Sequence, residues 1–379
     1  MKLTGWFLLA LMLFSAVCLS IIHIQHDVKD APFDEEFFFG VSFGGNTTSE
    51  AKLLIDKVKG YTNLFVINSW DIATNETALT EICEYSIDAK MSIMVYFNFI
   101  SRTTYAWHLP WLNTAKERWG NKFLGVYFYD EPGGKRIDGQ QWVRGEVFEN
   151  VSNYSEAAQK FVVDINSDRS MQDLKNNNIQ VFTADYALYW FDYMAGYDTV
   201  FAELGWNNSR IQQIALCRGA ANMQNKQWGT IITWTYNDPP YLASGSEIFQ
   251  DMITSYRAGA KYIIVFNYPK INLHGILEEE HFTAMKKFWN SIHSTRVTFS
   301  KAEGQVALVL PKDYGWGMRN PDDKIWGIWP PDDLSPPIWN KMNRLLKRHR
   351  LELDIIYDYP QFNFKEEYTK IYLWNSTID

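Results

Sequence analysis

Leu124-Gly125-Val126-Tyr127-Phe128-Tyr129-Asp130-Glu131-Pro132-Gly133-Gly134 is the stretch on which the reading of this chain turns. A short, unbroken apolar and aromatic run stops at two adjacent carboxylates, and Pro-Gly-Gly follows. A strand covered on both faces reads as such a continuous run, the mark of a parallel sheet packed between helices. Two carboxylates directly after a buried strand are costly unless they are solvated or used, which places 130 and 131 at an open end of the sheet. The Pro-Gly-Gly is expected to hold off helix and leave both carboxylates on a turn.

Seven similar runs lie outward from this one: Phe37 to Phe43, Leu64 to Asn68, Ser92 to Phe97, Ile179 to Ala184, Val200 to Leu204, Thr230 to Tyr236 and Tyr262 to Asn267. Helical segments with plausible caps separate them, with Ser49 opening Glu50 to Val58, Thr74 or Asn75 opening Ala78 to Tyr85, and Ser209 opening Ile211 to Met223. The interval from Tyr129 to Ile179 must hold a long loop as well as a helix. Strands alternating with helices demand right-handed crossovers between parallel neighbours, and eight of them close most naturally into a (β/α)8 TIM barrel, here over 33–297. An open doubly wound sheet is the alternative; it wants a glycine-rich first turn, and Phe43-Gly44-Gly45-Asn46 lacks the spacing.

The pattern changes over 298–379. Val306 to Leu310, Leu353 to Ile356 and Lys370 to Trp374 read as strands and Pro336 to Arg348 as an amphipathic helix, giving a small α/β domain of βαβ type. A Trp- and Pro-rich loop, Tyr314 to Arg319 through Trp326 to Pro331, is too apolar to lie loose. It is expected to seal the interface with the barrel, or also to roof its mouth. Residues 1–26 are of another kind: Gly5 to Ile22 carries no charge, a length between a signal-peptide core and a short spanning helix. The expectation is an extracytoplasmic protein, secreted or held to a membrane through this segment.

Six Asn-x-Ser/Thr sequons, at Asn46, Asn75, Asn150, Asn153, Asn207 and Asn375, agree with that compartment. Beyond Cys18 only Cys83 and Cys217 remain, both in helical patterns, so buried thiols are expected rather than a disulfide framework. The formal net charge of −8 and the mixing of both signs along the chain argue against nucleic acid, which needs a basic face. The seven histidines never take metal-ligand spacing, and no P-loop or nucleophile elbow occurs, so neither metal nor cofactor is expected.

Catalytic groups of a barrel project from the C-terminal strand ends. Hydrolysis of a glycosidic bond needs two carboxyls flanking it, one protonated and one ionised. Glu131 is the first candidate for acid/base. Glu203, a carboxylate embedded in a strand run, is the best partner, with Asp238 after the seventh run and Asp185 after the fifth in reserve. Either glutamate also fits a purely structural role, pairing with a cation or capping a helix. Aromatic residues make up 16% of the chain, and pyranose rings stack on such faces. Asp130, Trp70, Tyr96, Tyr129, Asp185, Trp206, Trp234, Tyr236 and Asn267, all at or near strand ends, are therefore candidate substrate-binding residues, although any one aromatic is as readily core; Trp190 and His274 are weaker candidates of the same kind.

Asp130-Glu131-Pro132 after the fourth strand resembles the Asn-Glu-Pro signature of the large glycoside hydrolase clan of β-galactosidases and cellulases. The resemblance implies a (β/α)8 barrel, a carbohydrate substrate and an acid/base role for Glu131, and the tail is similar to the flavodoxin-like domain of some β-galactosidases. Asp130 stands where that family has Asn, and the seventh run offers no Glu as nucleophile. A pair from the fourth and sixth strands is instead similar to several α-glycosidase families. A glycan-binding or cell-surface barrel without turnover is the competing expectation; a nucleotide-dependent transferase would need a phosphate cradle that no loop offers.

Overall fold

The computed structural model describes residues 37–139, 151–269, 271–294, 302 and 304–376. The N-terminal segment 1–26, with its expected targeting role, and Asn150 lie outside them. Eight strands alternate with helices along the chain: β1 (Phe38–Phe43), α1 (Thr48–Val58), β2 (Leu64–Ile67), α2 (Trp70–Ala73), α3 (Glu76–Asp88), β3 (Ser92–Tyr96), α4 (His108–Trp119), β4 (Phe123–Tyr127), α5 (Pro132–Ile137), α6 (Tyr154–Asn166), α7 (Arg169–Asn176), β5 (Val181–Asp185), α8 (Tyr189–Ala195), β6 (Thr199–Leu204), α9 (Arg210–Met223), β7 (Gln227–Ile232), α10 (Gly245–Arg257), β8 (Tyr262–Val265) and α11 (Glu279–Ile292). Each strand pairs in parallel with the next, and β8 returns to β1 with Phe38 opposite Tyr262 and Gly40 opposite Ile264, closing the (β/α)8 barrel.

Alternate residues of every strand point inward and fill the ring. Phe38, Leu64, Val66, Met94, Tyr127, Phe182, Ala184, Phe201, Ile231, Tyr262 and Ile264 form one buried cluster. Gly40 is required by the closeness of the first pair: a Cβ there would stand 1.8 Å from the Leu64 carbonyl oxygen.

Several local expectations are corrected. Helix α1 is capped by Thr47 rather than Ser49, in a capping box with Glu50, whereas α3 is capped by Asn75, one of the two residues expected there. Ser209 occupies the cap position of α9 without a side-chain cap bond. The seventh strand ends at Ile232, so Trp234 and Tyr236 belong to the loop beyond it. Helix α5 starts immediately at Pro132, because proline is pre-set for the first helical position and gives up only an N–H that would have had no partner there.

After the barrel come β9 (Val306–Leu310), α12 (Ser335–His349), β10 (Leu353–Tyr357), α13 (Phe364–Glu367) and β11 (Lys370–Leu373). They build a three-stranded parallel sheet in the order β10-β9-β11. Three strands are too few to show the flavodoxin-like domain expected from the sequence, and the sheet stops there among the described residues. Its contact with the barrel is aromatic and ionic. Trp190 of α8 is buried against Tyr357, Tyr359 and Phe362, at centroid distances of 5.6, 5.7 and 5.2 Å, so it belongs to the interface and not to a cleft. Arg218 of α9 and Asp354 of β10 pair at 2.7 Å with exposures of 3% and 0%. The Trp-rich loop joins the same interface through Trp326, which packs on Phe161 and Phe191.

Among the described residues no helix is long and apolar enough to cross a membrane. Cys83 and Cys217 are free and buried, and no cluster of His, Cys, Asp and Glu with metal-binding geometry occurs there. The described sequon asparagines, Asn46, Asn75, Asn153, Asn207 and Asn375, are all exposed.

Candidate active site

The chain leaves β4 through two left-handed residues, Tyr129 at φ 49° and Glu131 at φ 55°, with Asp130 between them. Such φ values are uncommon outside glycine and need support from their surroundings. The support here is main-chain: the Glu131 N–H donates to the Ala184 carbonyl of β5 at 3.0 Å, and the Lys135 N–H donates to the Glu131 carbonyl at 3.0 Å. The double reversal sends neighbouring side chains in opposite directions. Tyr129 turns outward, where its hydroxyl donates to Asp168, the cap of α7, at 3.1 Å. Glu131 turns to the mouth of the barrel.

There it meets Glu203, the penultimate residue of β6. The two carboxyl groups are in hydrogen-bond contact. Glu203 is 5% exposed, and burial first, then the charges of Glu131, Asp130 and Asp185, push it well above the usual glutamate range. Burial and Asp130 also raise Glu131, but Lys135 opposes them with its ammonium 3.3 Å from Glu131 Oε2. Like charges in contact cannot both ionise, so the pair shares one proton. The better shielded Glu203 keeps it and donates to Glu131, whose charge the lysine offsets.

Asp130 completes the cluster. Its Oδ1 accepts from the Tyr127 hydroxyl at 2.5 Å, its carbonyl accepts from Lys135 at 2.6 Å, and its side chain is 41% exposed. Tyr96, closing β3, packs its ring on Tyr127 at 5.8 Å, and burial followed by the Asp130 charge raises its hydroxyl. Lys135 was not a sequence candidate; its signal was the four-residue spacing from Glu131 on a helix starting at Pro132.

The other candidates are placed elsewhere. Asp185 is fully buried, and its carboxylate accepts four main-chain N–H groups, so it is closed to a substrate. Asp238 stands exposed on the loop after β7. Asn267 is buried and spends its Oδ1 on the Ile276 N–H, shaping the loop after β8. Trp70, 45% exposed, packs on Phe99 and Tyr105 at the rim. Trp206 and Tyr236, 38% and 46% exposed, flank a cleft of about 730 Å³ between the loops after β6 and β7. Trp234, half-buried, packs on Tyr241 and Phe266 nearby. His274 lines a separate cleft of about 310 Å³ between the loops after β1 and β8.

No protein-family model matches the sequence, and no curated protein matches it. Among solved structures, the chain is similar to an alpha-L-fucosidase isoenzyme 2 from Paenibacillus thiaminolyticus, with TM-score 0.48 and 10% identity over 85% of this chain and 58% of that one. An endo-beta-1,4-mannanase from Thermotoga petrophila gives TM-score 0.45 and 6% identity over 70% and 79%. A D-psicose 3-epimerase gives TM-score 0.37 and 10% identity over 66% and 96%. Barrels of different chemistries match at this level, so the reading of the site rests on its own geometry.

Proposed function

We propose that this protein is a glycoside hydrolase that cleaves an O-glycosidic bond of an external or cell-surface glycan, working outside the cytoplasm, secreted or anchored through residues 1–26. The observation that carries the reading is the Glu131–Glu203 contact at the C-terminal end of a closed parallel barrel. Both roles of a two-carboxylate mechanism are represented: Glu203 holds a proton for the leaving oxygen, and Glu131, beside Lys135, is the ionised partner. This reverses the acid/base role expected for Glu131 from its resemblance to Asn-Glu-Pro, because burial is deeper at 203. Inverting enzymes separate the two groups by about 6.5–9.5 Å to admit water, and retaining ones by about 5–5.5 Å. Carboxyls in contact are closer than either range and leave no room for a water between them, which favours retention over inversion, and Glu131 is assigned as nucleophile. Tyr96, with Trp70 at the rim, supports a sugar platform by aromatic stacking.

The test is a panel of aryl α- and β-glycosides with proton NMR of the first-formed anomer. Net retention is expected, with loss of turnover for Glu131→Gln, which removes the nucleophile. Inversion, or a variant as active as the wild type, sinks the assignment. A glycan-binding barrel without turnover is the second reading, favoured by the burial of Glu203 behind its partner; oligosaccharide binding with no hydrolysis on any panel member decides for it.

A further inference from the structure

Asp185 closes β5 and Asp192 lies within α8, and both are fully buried. The Asp185 carboxylate receives N–H donors from Gly133 at 2.5 Å and Gly134 at 2.7 Å on the β4 side. It receives two more from Tyr186 at 2.7 Å and Ala187 at 3.1 Å on its own side. One side chain thus stitches together two turns of the barrel rim. The stitch is tight: a Cβ on Gly133 would lie 2.4 Å from the Ala187 carbonyl oxygen, and one on Gly134 2.2 Å from the Tyr186 ring. Glu131, left-handed and two residues before Gly133, is seated on this support.

Asp192 is in the opposite condition. Neither of its oxygens meets an N–H or O–H donor among the described residues, and its side chain is in hydrogen-bond contact with Asp185. A buried carboxyl that receives no donor, beside a carboxylate that already has four, is itself a donor: a neutral acid. Burial pushes Asp192 well above the ordinary aspartate range; it also pushes Asp185 up to about 7, the four N–H groups opposing that rise. The ionisable groups around the pair are Tyr186, Tyr189, Tyr193 and Tyr197 beside it, Cys217 of α9, Glu203 of β6, and Glu131 and Lys135 on the β4 side. Of these only Lys135 is a cation.

We infer that Asp185 and Asp192 form a carboxylate–acid pair that positions Glu131 and, by fixing one negative charge beneath the mouth, holds the catalytic proton on Glu203. Asp185 is a positioning residue, acting through the main chain of 133 and 134; Asp192 supplies the proton that lets two buried aspartates coexist with a single charge. The effect on turnover rests on the glycosidase reading, whereas the pair itself does not.

Asp185→Asn puts an amide NH₂ among N–H donors, so part of the stitch is lost. Its kcat on the best aryl glycoside is expected to fall about 100-fold with KM little changed, as for a misplaced reacting group. The alkaline limb of the kcat/KM profile, set by proton loss from Glu203, is expected to move to lower pH, because a negative charge favouring that proton has gone. Asp192→Ala is expected to lower kcat, and Asp192→Asn, which keeps an N–H donor toward Asp185, to restore most of it. An alkaline limb unmoved in Asp185→Asn, or Asp192→Asn no better than Asp192→Ala, overturns the inference. A measurement free of turnover accompanies these: carboxyl ¹³C NMR of folded wild type labelled at Asp and Glu. One aspartic acid resonance is expected to stay protonated through neutral pH and to vanish in Asp192→Asn; its absence from the wild type overturns the pair. If that resonance is present and no glycoside is cleaved, the pair stands and the glycosidase reading fails.

Discussion

Replacing Glu203 by glutamine is expected to slow turnover severely and, in the same protein, to raise the melting temperature. Glutamine keeps the shape of the side chain and a donor toward Glu131 while removing a buried carboxyl beside Glu131, Asp130 and Asp185. The loss of kcat should be about 10³-fold, in the range for a general acid. The gain in stability at neutral pH should be about 1–2 kcal/mol, the usual size when an active-site conflict is relieved. The pH dependence follows from linkage. Folding raises the affinity of Glu203 for its proton above that of a glutamate near 4.5. The stability supplied by protonated Glu203 is therefore complete below that value and is lost as pH rises through the folded one. Glutamine has no such loss, so its advantage should be small in acid and widen toward neutrality. Thermal melts of both proteins across that range check it; a variant melting below the wild type at neutral pH would falsify the electrostatic account of the site.

Asp354→Ala is expected to cost about 3–5 kcal/mol, because it strands a guanidinium in the interface between the barrel and the terminal sheet. Arg218 sits at 3% exposure and donates to Asp354 at 2.7 Å and to the carbonyls of Ala258, Ala302, Leu351 and Leu353. Asp354 also accepts from Asn222 and Tyr368, so its removal leaves several donors unanswered. Arg218→Met combined with Asp354→Leu should recover most of the loss, since replacing a buried ion pair by apolar groups of similar volume is often neutral. Urea unfolding gives the magnitude. A loss below about 1 kcal/mol for Asp354→Ala would mean that the aromatic seam around Trp190 and Trp326 carries the interface without the ion pair.

The barrel was legible because burial on both faces writes itself into composition: eight continuous apolar runs separated by helical patterns have few other solutions. Strand ends were less so, since Trp234 and Tyr236 prolong an apolar run past the last paired residue, Ile232. Glu203 stood out as a carboxylate inside such a run, and Glu131 as one closing it. Tyr129 misled because a positive φ at 129 reverses its direction, and spacing carries no sign of that reversal. Asp185 was misread for a related reason: its partners are main-chain amides, which look alike in every sequence. Two signals were present and passed over. Proline after Glu131 marks a first helical turn, and Asp192 within Tyr189-Trp190-Phe191-Asp192-Tyr193 is a charge-bearing residue in a segment otherwise fit for burial.

The two sequestered thiols give the molecule a built-in clock. Cys83 on α3 and Cys217 on α9 are wholly enclosed, and burial pushes both well above the ordinary thiol range, so neither is a nucleophile in the native state. Alkylation by iodoacetamide therefore waits for the wall to open, and its rate at each cysteine counts the openings on opposite stretches of the barrel circumference.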